Sequence, residues 1–223
     1  EMSTMLRIAA TTALVSAAFA SRGVDVSSTT LPDAWKCLKE HGYDFGVIRA
    51  FMSNGEPDPV APHTVYNAWD GGMHDVQLYF FPCPKCGDAA GQMKKMVDHL
   101  DKYNITHNSP YGPPHTYSKL WMDVEGPEYW LGSAAENVKF LKELVSAAQA
   151  HHISVGIYVS EYEHSSILGG DRSFKDLDLW YPHYDGVAGF SDFVGFGGWT
   201  HPYAKQYDGT TDTCGASVDL NYK

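Results

Sequence analysis

Strand-like and helix-like segments alternate along most of this chain, and this rhythm is what most constrains its fold. Eight segments have strand length and strand composition, at 23–27, 45–51, 76–81, 120–126, 154–160, 177–181, 204–207 and 217–221. Five segments are predicted helices, at 32–41, 65–69, 89–103, 134–148 and 163–168, and those at 89–103 and 134–148 carry apolar residues at helical spacing. Such alternation is typical of a parallel α/β barrel with helices outside the strands. The sequence therefore predicts a TIM-like barrel of eight strands and five helices that has lost its last helices.

The length of 223 residues suits one barrel, so we expect a single domain over residues 23–223. Residues 1–22 resemble a signal peptide. A short basic start at 5–7 precedes an apolar run at 8–19, and Ala18-Phe19-Ala20 fits a cleavage site. The alternative for this segment is a spare N-terminal helix. The leader pattern predicts a protein that is secreted or delivered to a lysosomal or phagosomal lumen.

Two helices carry a sequence signature at their start. Thr30-Leu31-Pro32-Asp33 and Ser133-Ala134-Ala135-Glu136 both have the spacing of a capping box. In such a box a hydroxyl and a carboxylate satisfy backbone N–H groups of the first turn. We expect helices to begin just after Thr30 and just after Ser133.

Two carboxylates share one face of the predicted strand at 120–126. Successive side chains on a strand point to opposite sides, so Asp123 and Glu125 face the same way, above Trp121. Their Cβ atoms would lie roughly 6 to 7 Å apart, twice the strand rise. Hydrolysis of a sugar acetal needs one carboxyl to protonate the leaving oxygen and a second group to support positive charge on the sugar. The alternative is that Asp123 caps the next loop and Glu125 ends a solvated strand.

Further polar residues fall near the ends of other predicted strands. Asp25 and Asp219 lie there on the face opposite the aliphatic residues, and so does Tyr158. Barrels of this type place their chemistry at the carboxyl ends of the strands, so these residues should converge at one mouth with Asp123 and Glu125. An acidic cluster drawn from three different strands predicts a catalytic site.

The four cysteines, Cys37, Cys83, Cys86 and Cys214, form an even set that suits an oxidising compartment. Three pairings are open. Cys83-Pro-Lys-Cys86 has the spacing of a redox motif or half a zinc site, but no second Cys or His pair matches it, so we favour a structural disulfide. We favour Cys37 with Cys214 because the first helix and the last strand are neighbours in a closed barrel.

The formal net charge of −11 disfavours nucleic acid and anionic membranes as partners, because both repel an acidic protein. No apolar segment is long enough to span a membrane. Asn104-Ile105-Thr106 is a glycosylation sequon, consistent with secretion. Aromatic residues make up 13% of the chain, a share that suits a cleft in which sugar rings lie on flat apolar faces. We expect four residues to contact the substrate, Tyr79, Tyr158, Trp180 and Gln206.

The strand motifs, taken together, resemble one enzyme family. Gly23-Val24-Asp25-Val26-Ser27, Trp121-Met122-Asp123-Val124-Glu125-Gly126, Gln206-Tyr207 and Val218-Asp219-Leu220-Asn221 are similar, in order and spacing, to motifs of the glycoside hydrolase family 25 lysozymes. The resemblance runs from about residue 23 to the end of the chain and is strongest to the cysteine-bearing eukaryotic members.

That resemblance implies a (β/α)5(β)3 barrel and cleavage of the β-1,4 bond between N-acetylmuramic acid and N-acetylglucosamine in bacterial peptidoglycan. By motif, Glu125 matches the general acid, Asp123 its carboxylate partner, and Asp25 and Asp219 the supporting aspartates. No metal or cofactor is implied, and we expect a monomer. The charge departs from that of many basic cell-wall lysozymes and should weaken attraction to anionic walls at neutral pH.

Two alternatives stay open from the sequence. A chitinase-type hydrolase would carry a longer D-x-x-D-x-D-x-E run, whereas residues 120–124 offer no acid besides Asp123. A non-catalytic sugar-binding barrel would keep the fold without turnover, and the presence of all four carboxylates argues against it.

Overall fold

The computed structural model describes residues 20–223, so most of the leader predicted over residues 1–22 lies outside the described residues. The chain forms a barrel of eight strands, which we number in chain order. They are β1 Arg22–Val26, β2 Tyr43–Met52, β3 Asp75–Phe80, β4 Leu120–Asp123, β5 Val155–Tyr158, β6 Asp178–Pro182, β7 Ala204–Thr213 and β8 Ala216–Tyr222. Short strands at Glu56–Pro57, Thr106–His107 and Thr116–Tyr117 lie outside the barrel.

Within residues 20–223, five α-helices cover the outside of the barrel. They are α1 Pro32–Glu40, α2 Ala61–Asp70, α3 Ala89–Asp101, α4 Ala134–Ala150 and α5 Glu161–Leu168. Single 3₁₀ turns at Pro84–Cys86 and Pro127–Tyr129 follow β3 and β4. The predicted single-domain α/β barrel with five helices is confirmed, and the element bounds differ by a few residues.

The barrel closes because β1 pairs with both β2 and β8. Strands β1 to β7 run parallel to one another, whereas β8 runs antiparallel to its two neighbours, β1 and β7. The last strand therefore departs from the parallel arrangement that the sequence predicted. Only Cys214 and Gly215 separate the paired residues Thr213 and Ala216, and both have positive φ, as a two-residue hairpin requires. So short a connection cannot make the crossover that a parallel strand needs.

The core has two layers separated by the strands. A small cluster fills the barrel interior and consists of Phe45, Val47, Trp121, Tyr158, Trp180 and Ala204. A larger cluster packs between the strands and the helices. The alternation predicted for β4 is confirmed, because Trp121 lies in the inner cluster while Leu120 and Met122 lie in the outer one. Asp123 shares the parity of Trp121 and therefore points into the barrel.

Only one of the two predicted capping boxes forms. Ser133 Oγ accepts a hydrogen bond from Glu136 N and donates one to its carboxylate, 2.6 Å away. The box at Thr30 was a wrong prediction. Leu31 occupies the N-cap of α1 and makes no side-chain capping bond in the described chain. Thr30 Oγ1 instead donates a hydrogen bond to Ser28 O. Proline occupies the first turn of this helix, where its fixed φ favours a helix start.

Two disulfides form the pairing that the sequence favoured. Cys37–Cys214 links α1 to the β7–β8 turn across 177 residues of sequence. Cys83–Cys86 joins two residues three positions apart in the loop that follows β3. The first disulfide therefore ties α1 to the hairpin where the barrel closes, and the second shapes a single local turn.

The two disulfides should differ in their effect on stability, because the entropy that a cross-link removes from the unfolded chain grows with loop length. The chain-entropy relation gives about 5 kcal/mol for Cys37–Cys214 and about 2 kcal/mol for Cys83–Cys86. We expect urea unfolding of a Cys37→Ala/Cys214→Ala variant to show the larger loss, with Cys83→Ala/Cys86→Ala as the matched control. Equal losses of unfolding free energy in the two variants would contradict the conclusion that Cys37–Cys214 is the more stabilising disulfide.

Candidate active site

One cleft at the carboxyl end of the parallel strands gathers every residue that the sequence analysis assigned to catalysis or substrate contact. Its lining consists of Asp25, Tyr79, Asp123, Glu125, Tyr158, Trp180, Tyr184, Gln206 and Asp219. Tyr184 is the member of this set that the sequence analysis missed. The predicted sugar-binding and acidic residues thus come together from seven strands and the loops after them.

Asp123 is the last residue of β4 and points into the barrel mouth with 4% of its surface exposed. Its Oδ1 is buried and has no hydrogen-bond partner among residues 20–223. A buried carboxylate oxygen without a partner is costly, so such an atom is a strong acceptor for any donor that enters the cleft.

Glu125 lies two residues beyond the end of β4 and is half-buried. The strand predicted to reach residue 126 stops at Asp123, because the chain turns at Gly126, where φ is +63°. Trp130 Nε1 donates to Glu125 O at 3.1 Å, which holds the backbone of this turn. Glu125 therefore projects from a fixed loop over the cleft, with Asp123 below it.

Asp25 lies opposite Asp219, where β1 pairs with β8. Two amide groups hold the buried Asp25 carboxylate, since Gln206 Nε2 and Asn221 Nδ2 donate to its Oδ2 at 2.8 and 2.7 Å. Gln206 Nε2 also lies 3.3 Å from Asp219 Oδ2. Because β8 is antiparallel, Asp219 reaches the cleft from the middle of its strand instead of from a carboxyl end.

The amide oxygen of Gln206 accepts two hydrogen bonds from tyrosines. Tyr158 Oη donates at 2.7 Å and Tyr184 Oη at 2.8 Å. Trp180 Nε1 donates to Asn221 Oδ1 at 2.9 Å, which orients the second amide. The aromatic wall and the acidic floor of the cleft are thus one hydrogen-bonded network, and each side chain in it is fixed by its neighbours.

A cluster of charged side chains behind the cleft holds the segment that carries Tyr184. The fully buried Lys205 contacts both carboxylate oxygens of Asp185 and one of Asp192, each at 2.8 Å. His183 also bonds Asp192, at 2.6 Å. Asp185 and Asp192 are thus paired with the Lys205 ammonium. This cluster anchors the segment that carries Tyr184.

Comparison with known proteins points to one family. The family model described as lysozyme-like protein 1 matches residues 16–207. The probable GH family 25 lysozyme 2 of Dictyostelium discoideum is 45% identical over 210 residues, which is 94% of each chain. Lysozyme-like protein 5 of Caenorhabditis elegans is 37% identical over 207 residues, or 91% of each chain.

This chain belongs to the glycoside hydrolase family 25 lysozymes. Solved structures share its fold at low sequence identity. The family GH25 lysozyme of Aspergillus fumigatus has a TM-score of 0.71 at 17% identity, covering 91% of this chain and 93% of its own. The muramidase of Acremonium alcalophilum has a TM-score of 0.70 at 19% identity, covering 90% and 92%.

In a glycoside hydrolase, the ionisation of the carboxyls decides which one can donate a proton. Burial, followed by the charge of Glu163, raises the pKa of Glu125 to about 7. Burial, followed by the charge of Asp219, raises the pKa of Asp25 to about 8. Burial and the Glu125 charge raise the pKa of Asp123 well above its ordinary value. So dense an acidic cluster holds protons at neutral pH, which is the state that a general acid needs.

Three further residues act on the carboxyls of this lysozyme's cleft from outside its lining, and none of these roles was predicted. Asn221 belongs to the motif at 218–221, but nothing in the sequence indicates its hydrogen bond to Asp25. Arg49 on β2 bonds Asp58 at 2.7 Å, and its positive charge opposes the rise in the pKa of Asp123. Glu163 on α5 contributes a negative charge near Glu125.

The raised pKa of Asp25 should appear in the pH dependence of stability. Because the folded state holds the proton more tightly, ionising Asp25 costs stability as the pH rises from about 4 to about 8. We expect the free energy of unfolding of Asp25→Asn, minus that of the wild type, to increase over this range. Each pKa unit corresponds to about 1.4 kcal/mol.

Urea unfolding at several pH values measures this difference. His99 and His107, whose pKa burial lowers, act in the opposite direction but cancel between variant and wild type. Asp70→Asn, which removes an exposed carboxyl, is the control for the loss of one charge. A difference for Asp25→Asn that stays constant with pH would contradict the raised pKa.

Proposed function

We propose that this lysozyme is an N-acetylmuramidase that cleaves the β-1,4 bond between N-acetylmuramic acid and N-acetylglucosamine in bacterial peptidoglycan. One observation carries the proposal. A half-buried Glu125 with its pKa raised to about 7 lies over a cleft whose floor is the buried Asp123 with an unpartnered oxygen. The family membership of the chain supports the choice of bond and substrate.

Glu125 is the proposed general acid. It is more accessible than Asp123 and Asp25, and its loop holds it over the cleft, where a glycosidic oxygen would enter. Its raised pKa keeps the carboxyl protonated on the acidic side of neutrality. Giving that proton to the leaving oxygen breaks the glycosidic bond and leaves Glu125 ionised, ready to accept a proton from the attacking water.

Asp123 is the proposed partner at the reacting sugar. The 2-acetamido group of the substrate carries an N–H donor, and Asp123 Oδ1 is the unpartnered acceptor in the cleft. A hydrogen bond between them would aim the acetamido oxygen at the anomeric carbon, which favours retention of configuration. The hydrogen bond that the acetamido N–H donates would favour the ionised form of Asp123, and this negative charge would stabilise the positive charge that develops on the sugar ring.

Asp25 and Asp219 are the proposed supporting aspartates. The amides of Gln206 and Asn221 fix Asp25, and Thr210 N donates to Asp219 Oδ1. The aromatic side chains of Tyr79, Tyr158, Trp180 and Tyr184 supply the apolar faces against which sugar rings pack. No step in this scheme uses a metal or a cofactor.

We propose that the protein acts outside the cytosol, in a secreted or lumenal compartment. Its two disulfides suit an oxidising environment, and Asn104 of the sequon is exposed. Within the described part of the chain, no helix has the length and apolarity to cross a membrane. We propose action as a monomer on peptidoglycan, and the net charge of −11 disfavours nucleic acid or an anionic membrane as partner.

Amide variants of the two central carboxyls should lose activity. Glu125→Gln removes the proton donor and should reduce wall lysis by about 10²- to 10⁴-fold, the range typical of general acid catalysis. Asp123→Asn should also reduce turnover while leaving the proton donor in place. Saccharide binding should survive in Glu125→Gln, because the aromatic wall is unchanged. Turbidity loss of bacterial walls and calorimetric binding measure the two effects.

Glu128→Gln is the matched control, because Glu128 lies on the same loop but is exposed. It should keep near-normal lysis at pH 5. Chitin hydrolysis, assayed beside wall lysis, should stay at background in every variant and in the wild type. Near-normal lysis by Glu125→Gln would show that the catalytic centre is assigned wrongly.

A further inference from the structure

Glu163 connects the first turn of α5 to the loop that carries Glu125. Its Oε1 accepts a hydrogen bond from Gly126 N at 3.0 Å. Its Oε2 accepts one from Ser160 Oγ at 2.9 Å, and Ser160 Oγ in turn accepts from Glu163 N at 3.1 Å. The Ser160–Glu163 pair is thus a capping box whose carboxylate also holds a residue from another part of the chain.

Gly126 is the residue directly after Glu125, and its backbone conformation sets where Glu125 points. Its φ is +63°, and a Cβ built there would lie 2.6 Å from the Tyr129 ring. Only glycine suits this turn. Glu163 holds the N–H of Gly126, and Trp130 holds the carbonyl of Glu125. Both sides of the peptide bond between Glu125 and Gly126 are therefore fixed by side chains.

The charge of Glu163 acts on the same residue. After burial, Glu163 is the strongest influence that raises the pKa of Glu125, ahead of Asp219 and Glu128. The Asp123 and Asp25 carboxyls complete the acidic surroundings, and Arg49 is the cation that acts on this cluster from β2. Glu163 differs from the other acids because it lines no part of the cleft and yet is hydrogen-bonded to the loop of Glu125.

We propose that Glu163 is a positioning residue that fixes the Gly126 turn through its hydrogen bond and places a negative charge beside the loop of Glu125. This inference rests on the proposed role of Glu125 as general acid. It assigns two separable effects to one side chain: a hydrogen bond that orients the acid and a charge that sets the upper pH limit of activity.

Two variants separate these effects. Glu163→Gln keeps an oxygen acceptor for Gly126 N but removes the charge. The upper limb of its pH profile of kcat/KM should move to lower pH by about one unit, the size that one neighbouring charge produces, with little loss at pH 5. Glu163→Asp keeps the charge but shortens the side chain, so kcat should fall across the pH range while the upper limb stays in place.

The assay uses the full protein with soluble, uncrosslinked peptidoglycan between pH 4 and pH 9. Glu161→Gln is the control, because it removes an exposed carboxylate from the same helix turn and should leave the profile unchanged. Carbon-13 NMR titration of the glutamate side chains reads the pKa of Glu125 directly, without relying on turnover. This pKa should fall in Glu163→Gln and stay at about 7 in the Glu161→Gln control.

A Glu163→Gln profile and titration that superimpose on the wild type would overturn the inference, and so would a shift of equal size in Glu161→Gln. Failure of the proposed function looks different, because Glu125→Gln would then keep its lysis whatever Glu163 does. If Glu125→Gln is inactive and Glu163→Gln is unshifted, the general acid stands and the role of Glu163 falls.

Discussion

Four carboxyl groups crowd into one barrel mouth, two of them buried and two half-buried, and this is the constraint on which the rest of this structure depends. Like charges in a dry site repel, and each ionised group loses its hydration, so the cluster is stable only when protons and hydrogen-bond donors compensate it. Gln206 and Asn221 supply donors to Asp25, and Trp180 and two tyrosines fix those amides. The charge that this network leaves uncompensated is neutralised by protons, and one of those protons is the reagent of the proposed reaction.

The closure of the barrel serves the same cluster. The antiparallel β8 places Asp219 directly beside Asp25, and Cys37–Cys214 fastens the turn before that strand to α1. At the opposite mouth, Lys119 pairs with Asp178 at 2.6 Å and Lys223 pairs with Asp75 at 2.5 Å. The carboxylates at that mouth are neutralised by lysines, whereas those in the cleft are compensated by bound protons and by amide donors. This contrast distinguishes the end of the barrel that carries the proposed reaction.

Local periodicity in the sequence predicted the strands and their inward faces, whereas long-range contacts decided features that the sequence did not reveal. Alternation along β4 placed Trp121 and Asp123 inside the barrel, because a period of two leaves no other arrangement once Leu120 and Met122 face the helices. The same alternation is identical for a parallel and an antiparallel strand, so it could not give the direction of β8. Tyr184 and Glu163 reach the site from segments without strand periodicity, through contacts that no spacing rule anticipates.

Identification of the bond that is broken tests the proposed muramidase reaction most directly. Purified peptidoglycan is digested, the new reducing ends are labelled by borohydride reduction, and the products are separated and sequenced by mass spectrometry. The expected new ends are reduced N-acetylmuramic acid, and Glu125→Gln should produce none. Ends of N-acetylglucosamine, or muramic acid ends formed equally well by Glu125→Gln, would contradict the proposed reaction.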